Sequence, residues 1–476
     1  MLISWVSPNN NQIDHQAIGL FKHICEINGW FVGQSLENAA ILFEPGSKST
    51  GNSDYRKKPV IRIEEAKIYE FSKLLSCNDT SSPDFEPAPV DKPYVDLLAL
   101  ELKDKVTELV RNLKISFISK LPWPEGASQA WSLTHDVDLV RKYGFGRVFQ
   151  FIAKGNSRTA GVIFRKLYHR DNPYWNFGEL LELYRSKQWY VSFFFLAKSW
   201  EKSSFRYNIK TPRFRDLFKT ILAEGHEIGL HSSRFIFDHP ANYLREKNRL
   251  ESILGRKLKG VRQHYLRILF PEGWHYLESA GFHYDSSCGY NEAVGFRAGT
   301  TFPIEINYPN KSADHKFYEV PISLMDYPWI NPQTSFEENW SKFENQVDLI
   351  GSTKGLANIL WHPNNVAEPN YRDYWEQMIT WFEKEQFYQD SLSNIVEWWK
   401  NRSMVELTQI LASDDCFQFE LKSEYRIENL TLEIFSPKVL NPVQMIGKLV
   451  DAENGTYHLK LESLLPGKTK FELSYK

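Results

Sequence analysis

Five short stretches of the chain place acid–base side chains directly after apolar runs. "WSLTHDVDLV" sets His135, Asp136 and Asp138 within four positions, and "GHEIGLHSSRF" adds His226 and His231. "GVRQHYLR" adds Arg262, His264 and Tyr265, "GFHYDSS" adds Asp285, and "ILWHPNN" adds Trp361 and His362. Carboxylates and imidazoles gathered at strand ends are what a hydrolytic site needs: a base to deprotonate water, an acid for the leaving group, and a metal ion or other electrophile for the oxyanion. Asp136 and Asp138, two residues apart, face the same way in a regular strand, while His135 between them points away. Two close carboxylates repel, and a cation between them relieves the repulsion. Plainer structural readings compete at each position. The two aspartates could cap a helix over "LVRKYGFGRVFQF", Arg262 could make a structural ion pair, and His226, five residues before His231 and so on the opposite face, reads as structural. Asp326 and Trp329 in "SLMDYPWI" read equally as substrate contacts or as a turn.

The elements that must position these residues come from a βα succession between about residues 120 and 400. Apolar runs such as "WYVSFFFLA", "HEIGLH" and "GLANILWH" alternate with helical segments such as "FRDLFKTILAEG" and "YLREKNRLESILG", the latter closed by Gly255. This pattern predicts a mostly parallel sheet or barrel, whose sites lie at the C-terminal ends of the strands. Before it, residues 1–92 mix a helix with short strands and end in a proline-rich stretch, "SSPDFEPAPVDKPYVD", that forbids a continuing helix. After it, residues 401–476 alternate apolar and polar residues between turn signals, as a small antiparallel β module does.

With 476 residues, 42% of them hydrophobic, the chain can bury sizeable cores. The formal charge of -2 gives no global field for nucleic acid. The N-terminal stretch carries neither a basic leader nor an apolar run long enough for a membrane span, and reads as cytoplasmic. Four scattered cysteines with no CxxC pair argue for reduced thiols rather than a disulfide framework.

The order of "THDVD", "HSSRF", "RQHY", "YDSS" and "LWHP" resembles the polysaccharide deacetylases, carbohydrate esterase family four, across roughly residues 120 to 400. "GFHYDSS", "GFRAG" and "EVPISLMD" resemble the branch found with bacterial polysaccharide gene clusters. The resemblance implies an α/β protein built on a deformed (β/α) barrel; with the boundaries read from the chain itself, the barrel occupies residues 93–400 between an N-terminal α/β accessory domain and the C-terminal β module. It implies a hydrolase acting on C–N bonds of linear amides, a carbohydrate N-deacetylase of amino sugars in a glycan or glycan precursor. By this resemblance Asp136 is the general base, His362 the general acid, Asp285 the acidic residue that orients a catalytic partner, and Arg262 the arginine that positions the base. Asp138 and His231 match the first two ligands of a divalent metal, zinc foremost. The family's second histidine falls on Phe235, which leaves His264, or alternatively His239, as third ligand. Tyr265 and Trp361, beside His264 and His362, are expected to contact the sugar. A carbohydrate-binding pseudoenzyme, a hydrolase of small amides and a structural partner of polysaccharide-synthesis proteins are the rival readings.

Overall fold

The computed structural model describes residues 2–5, 11–32, 39–45, 59–77, 82, 86–142, 152–168, 172–197, 207–237, 239–306, 316–442 and 447–475. Most of the segment after Asp138 that the sequence offers as a capped helix, from 143 to 151, lies outside them. Ten strands form the central sheet: β1 (Ala130–Val137), β2 (Ser192–Leu196), β3 (Glu227–Ser232), β4 (Gly260–Gln263), β5 (Tyr284–Asp285), β6 (Ile304–Ile306), β7 (Phe317–Glu319), β8 (Leu324–Met325), β9 (Leu356–Leu360) and β10 (Tyr388–Gln389). Their order is β6-β7-β5-β4-β3-β2-β1-β9-β8, with β10 also on β1. Among these pairs only β6–β7 runs antiparallel. Every residue of β1, β2 and β3 is buried, as in a parallel sheet covered on both faces, so even their Thr134, His135, Asp136 and His231 side chains lie inside the protein.

The sheet curls into a deformed barrel, closed by the segment around β7 and β8. At one end of this segment Val320 N–H donates to Asp285 O at 2.9 Å, and at the other Ser323 N–H donates to Asn358 O at 2.9 Å. The segment thus pairs with β5 on one side and β9 on the other. The barrel interior is partly polar: Asn358 Nδ2 crosses it to Ser286 Oγ at 3.0 Å. Among the described residues, the helices outside the sheet include α1 (Phe177–Lys187), α2 (Pro212–Ala223), α3 (Pro240–Leu254), α4 (Glu272–Ser279), α5 (Phe336–Ser352), α6 (Pro369–Lys384) and α7 (Leu392–Ser403). Proline opens α2, α3 and α6, where its missing N–H costs no helical hydrogen bond. Gly255 ends α3 with φ 70°, a left-handed conformation that a side chain would resist.

The N-terminal residues form a three-stranded parallel sheet, Leu2–Trp5, Ala39–Pro45 and Val60–Ile63, with helices Asn11–Asn28 and Glu65–Leu75. The helix Tyr94–Leu113 joins them to the barrel. Its buried Asp96 accepts hydrogen bonds from Thr301 N–H at 2.8 Å, from Thr301 Oγ1 at 2.7 Å and from the Thr300 hydroxyl. The C-terminal residues form two four-stranded antiparallel sheets. One of them is completed by Phe117–Lys120, which pairs with Ile427–Phe435. Arg402 locks this junction, donating to the carbonyls of Leu121, Lys120 and Glu26 at 2.7, 2.9 and 2.7 Å. All four cysteines are free, and the thiols of Cys77 and Cys288 touch at 3.2 Å in the core. Among the described residues no helix is long and apolar enough to cross a membrane.

Candidate active site and metal centre

The pleat decides which side chains enter the barrel. On β1 the even positions point inward, so Thr134, Asp136 and Asp138 line the interior while His135 faces the helices. There His135 is fully buried, its ring nitrogens bonded to Trp361 O and Tyr184 Oη at 2.6 Å each. Burial pushes its pKa down to about 3, so it stays neutral and structural. His226 sits at the opposite end of β3, where its Nδ1 accepts from Val191 N–H at 3.3 Å.

Arg262, fully buried on β4, holds Asp136. Its Nη1 donates to Asp136 Oδ1 at 3.1 Å and to Thr134 Oγ1 at 2.8 Å. Its Nε and Nη2 donate to Ser286 O and Ser286 Oγ, both at 2.8 Å. The guanidinium lies over the Phe194 ring at 4.5 Å. With both arms anchored, the planar fork can aim one carboxylate oxygen and leave the other, Oδ2, toward the cavity.

Asp138 is surrounded by three imidazoles. His231 Nε2 lies 3.2 Å and His264 Nε2 3.5 Å from Asp138 Oδ1, and His362 Nε2 lies 3.7 Å from Oδ2. Register places His231 opposite Arg262 on the neighbouring strand, and His264 follows β4 directly. His231 Nδ1 donates to Arg262 O at 3.1 Å, which fixes the tautomer that leaves Nε2 as the free lone pair. Burial would raise the Asp138 pKa, but the imidazoles of His264 and His231 hold it well below the usual carboxylate range.

One oxygen of Asp138 and one nitrogen each of His231 and His264 lie within 4.8 Å of one another. The buried Asp138 Oδ1 has no hydrogen-bond partner. Around a tetrahedral zinc with ligand bonds of about 2.0–2.1 Å, neighbouring ligand atoms stand ~3.3 Å apart. The 3.2 and 3.5 Å separations match that edge, and one carboxylate with two imidazoles is an ordinary ligand set for a divalent metal. The residues therefore fit the metal. His239 is exposed, stands at the N-cap of α3 and is not part of this group.

His362 is held by Asp326, which follows β8. His362 Nδ1 donates to Asp326 Oδ1 at 2.8 Å and its backbone N–H to Oδ2 at 2.9 Å. Tyr327 N–H and Asn365 Nδ2 donate to the same carboxylate. Burial disfavours the imidazolium, but Asp326, with Asp138 and Asp136, outweighs it and raises the pKa to about 9. His362 is thus a cation at neutral pH, with Nε2 turned to the cavity.

Two sequence expectations are corrected. Asp285 does not reach His362: Ser286 takes the inward position on its strand, so Asp285 points outward. There it accepts from Ser287 Oγ at 2.6 Å. Burial, and then its neighbour Glu319, push its pKa well up. Asp326 occupies the position expected of Asp285. Its sequence signal is visible in "SLMDYPWI", where an aspartate closes an apolar run as Asp136 does. Trp361 likewise takes the outward position between Leu360 and His362. It is fully buried against Trp329 and Trp375, at 5.8 and 5.2 Å between rings, and offers no face to a ligand. Tyr265 does stand at the mouth, 45% exposed and stacked 4.3 Å from the His264 ring, and Tyr327, 46% exposed, flanks His362 on the other side.

No sequence family matches the chain. No curated protein matches it either. Solved structures similar to it include two proteins assigned as polysaccharide deacetylases. One, from Mycobacterium smegmatis, has 18% identity and TM-score 0.41, covering 62% of this chain and 98% of that one. The other, from Pseudomonas aeruginosa, has 15% identity and TM-score 0.41, covering 59% and 93%. An allantoinase is similar to the same extent, at 15% identity, TM-score 0.41 and coverage of 59% and 93%. All three scores lie below 0.5, which leaves the chemistry to the side chains themselves.

Proposed function

We propose that the chain is a metal-assisted amide hydrolase that removes N-acetyl groups from amino sugars of a glycan or glycan precursor. The observation that carries this reading is the convergence of three separately anchored units, Asp136 on Arg262, Asp138 with His231 and His264, and His362 on Asp326, with His231 3.8 Å from Asp136 and His362 3.7 Å from Asp138. A divalent ion held by Asp138, His231 and His264 would polarise the acetyl carbonyl and lower the pKa of a water. Asp136, aimed by Arg262, takes the proton of the attacking water through its free Oδ2. His362, kept charged by Asp326, donates a proton from Nε2 to the departing amine, which amide cleavage requires because an amide anion is a poor leaving group. Tyr265 and Tyr327 at the rim offer ring faces to a sugar.

The test is acetate release from N-acetylated oligosaccharides by the full chain, with one equivalent of zinc and after chelation, beside small cyclic and linear amides. Release from the sugars that stops on chelation supports the reading. Turnover of small amides alone moves the chain to another substrate class, and turnover of neither overturns the assignment.

A further inference from the structure

A second concavity, walled in part by the loop that follows His231, carries charge that the mechanism does not use. It is a groove of about 480 Å³ between the loop after β3, residues 233–236, and α3. Asn242, Arg245, Glu246 and Arg249 line it from α3, at the three- and four-residue spacing that puts them on one helical face. Glu246 is engaged in holding the loop, accepting from Ser233 N–H at 3.0 Å and Ser233 Oγ at 2.5 Å. Phe235 lines the opposite wall and is 56% exposed, so its ring is open to a ligand.

A stack of planar groups links the Phe235 wall of the groove to the metal site. The Arg234 guanidinium lies 5.1 Å from the Phe235 ring and 5.0 Å from the Tyr265 ring, and Tyr265 stacks on His264. Arg245 and Arg249 thus line the groove, and the Arg234 guanidinium stands between its Phe235 wall and Tyr265. The Nε–H groups of Arg234 and Arg249 are shielded from solvent and have no acceptor. Buried donors are normally satisfied, and a guanidinium fork is matched by a carboxylate or phosphate.

We propose that this groove binds an anionic group on the sugar next to the one deacetylated, so that the substrate is an acidic glycan bearing carboxylate or phosphate. The exposed Phe235 would carry the apolar face of that neighbouring sugar while the arginines take its charge. The inference rests on the amide-hydrolase reading of the metal site.

The experiment compares three sets of short N-acetylated oligosaccharides on the full chain: neutral, uronate-bearing and phosphate-bearing. The wild type is expected to prefer one acidic set over the neutral one in kcat/KM, and which one it prefers identifies the anion. In an Arg245→Gln/Arg249→Gln double variant that preference should fall roughly tenfold or more, as expected for lost charge-assisted hydrogen bonds. Equal turnover of neutral and acidic sets by the wild type overturns the proposal, as does a preference the double variant leaves intact. If the double variant does not fold, the single Arg249→Gln variant and the wild-type preference still decide it. Direct binding of the acidic oligosaccharides, measured by calorimetry, separates the two readings. Binding without acetate release would retain the groove and sink the hydrolase assignment, whereas acetate release without preference for charge would do the opposite.

Discussion

Replacing Arg262 by lysine separates aiming from charge. The guanidinium makes four hydrogen bonds, to Ser286 O, Ser286 Oγ, Thr134 Oγ1 and Asp136 Oδ1, and is fully buried. An ammonium keeps the positive charge beside Asp136 but is a single point on a flexible stem and cannot span four acceptors across the barrel. If it follows Asp136, Ser286 O is left without its donor, at about 1–3 kcal/mol, while Ser286 Oγ keeps the hydrogen bond from Asn358 Nδ2. The expected destabilisation is roughly 1–3 kcal/mol, read as a shift in the urea midpoint with unchanged slope. Catalysis should fall further than stability explains, because the base loses the fixed fork that aims it. A misplaced base costs on the order of 10²-fold in kcat, with KM little changed. The assay is acetate release at saturating oligosaccharide, on protein shown to be folded under the assay conditions. Arg262→Lys with kcat within a few-fold of wild type would refute the aiming role and leave Arg262 as a structural cation.

Asp326→Asn should cut amide hydrolysis roughly 10²-fold while sparing an activated aryl acetate, whose leaving group needs no protonation; equal losses on both would count against His362 as the acid. His264→Ala should lower bound zinc from one equivalent toward zero by elemental analysis and His239→Ala should not, the reverse result assigning the third ligand to His239. Burial raises the Asp96 pKa from 3.8 to about 7, so its contribution to stability is complete below about pH 4 and lost as pH rises to about 7, by a few kcal/mol at most. Measured against Asp96→Asn, the stability difference should therefore shift against the wild type between about pH 4.5 and pH 8, and a constant difference would contradict a protonated Asp96. Trp361→Ala should cost about 3–5 kcal/mol without a selective rise in KM, whereas a KM effect in a still-stable protein would restore it as a sugar contact.

The parallel strands were legible because residues covered on both faces leave uninterrupted apolar runs, and Gly255 marked the end of α3. The inward set on β1 was legible too, since period-two alternation separates Asp136 and Asp138 from His135. The same rule, applied to "YDSS" and "LWHP", would have sent Asp285 and Trp361 outward once Ser286 and His362 were fixed inward. What could not be read was which member faces in, because Asp285 and Ser286 are both polar and the choice is made by Arg262 reaching from the neighbouring strand. Asp326 was visible as an aspartate closing an apolar run, but β8, two residues long, is too short to show by periodicity which way it faces. The pairing of Phe117–Lys120 with Ile427–Phe435 was likewise beyond local pattern, since a contact about 300 residues apart leaves no periodic trace. It makes residues 95–400 a chain with an unpaired edge strand, and that fragment should be less soluble than the whole protein.

The measurement that bears most directly on the central claim is acetate release from an N-acetylated oligosaccharide by the zinc-loaded full chain and by Asp136→Asn, with zinc content determined on the same samples. The account predicts about one zinc in both proteins, turnover in the wild type, and a loss of about 10²-fold or more in the variant. Equal turnover by the two proteins, or a wild type that binds zinc stoichiometrically and releases no acetate, would contradict it.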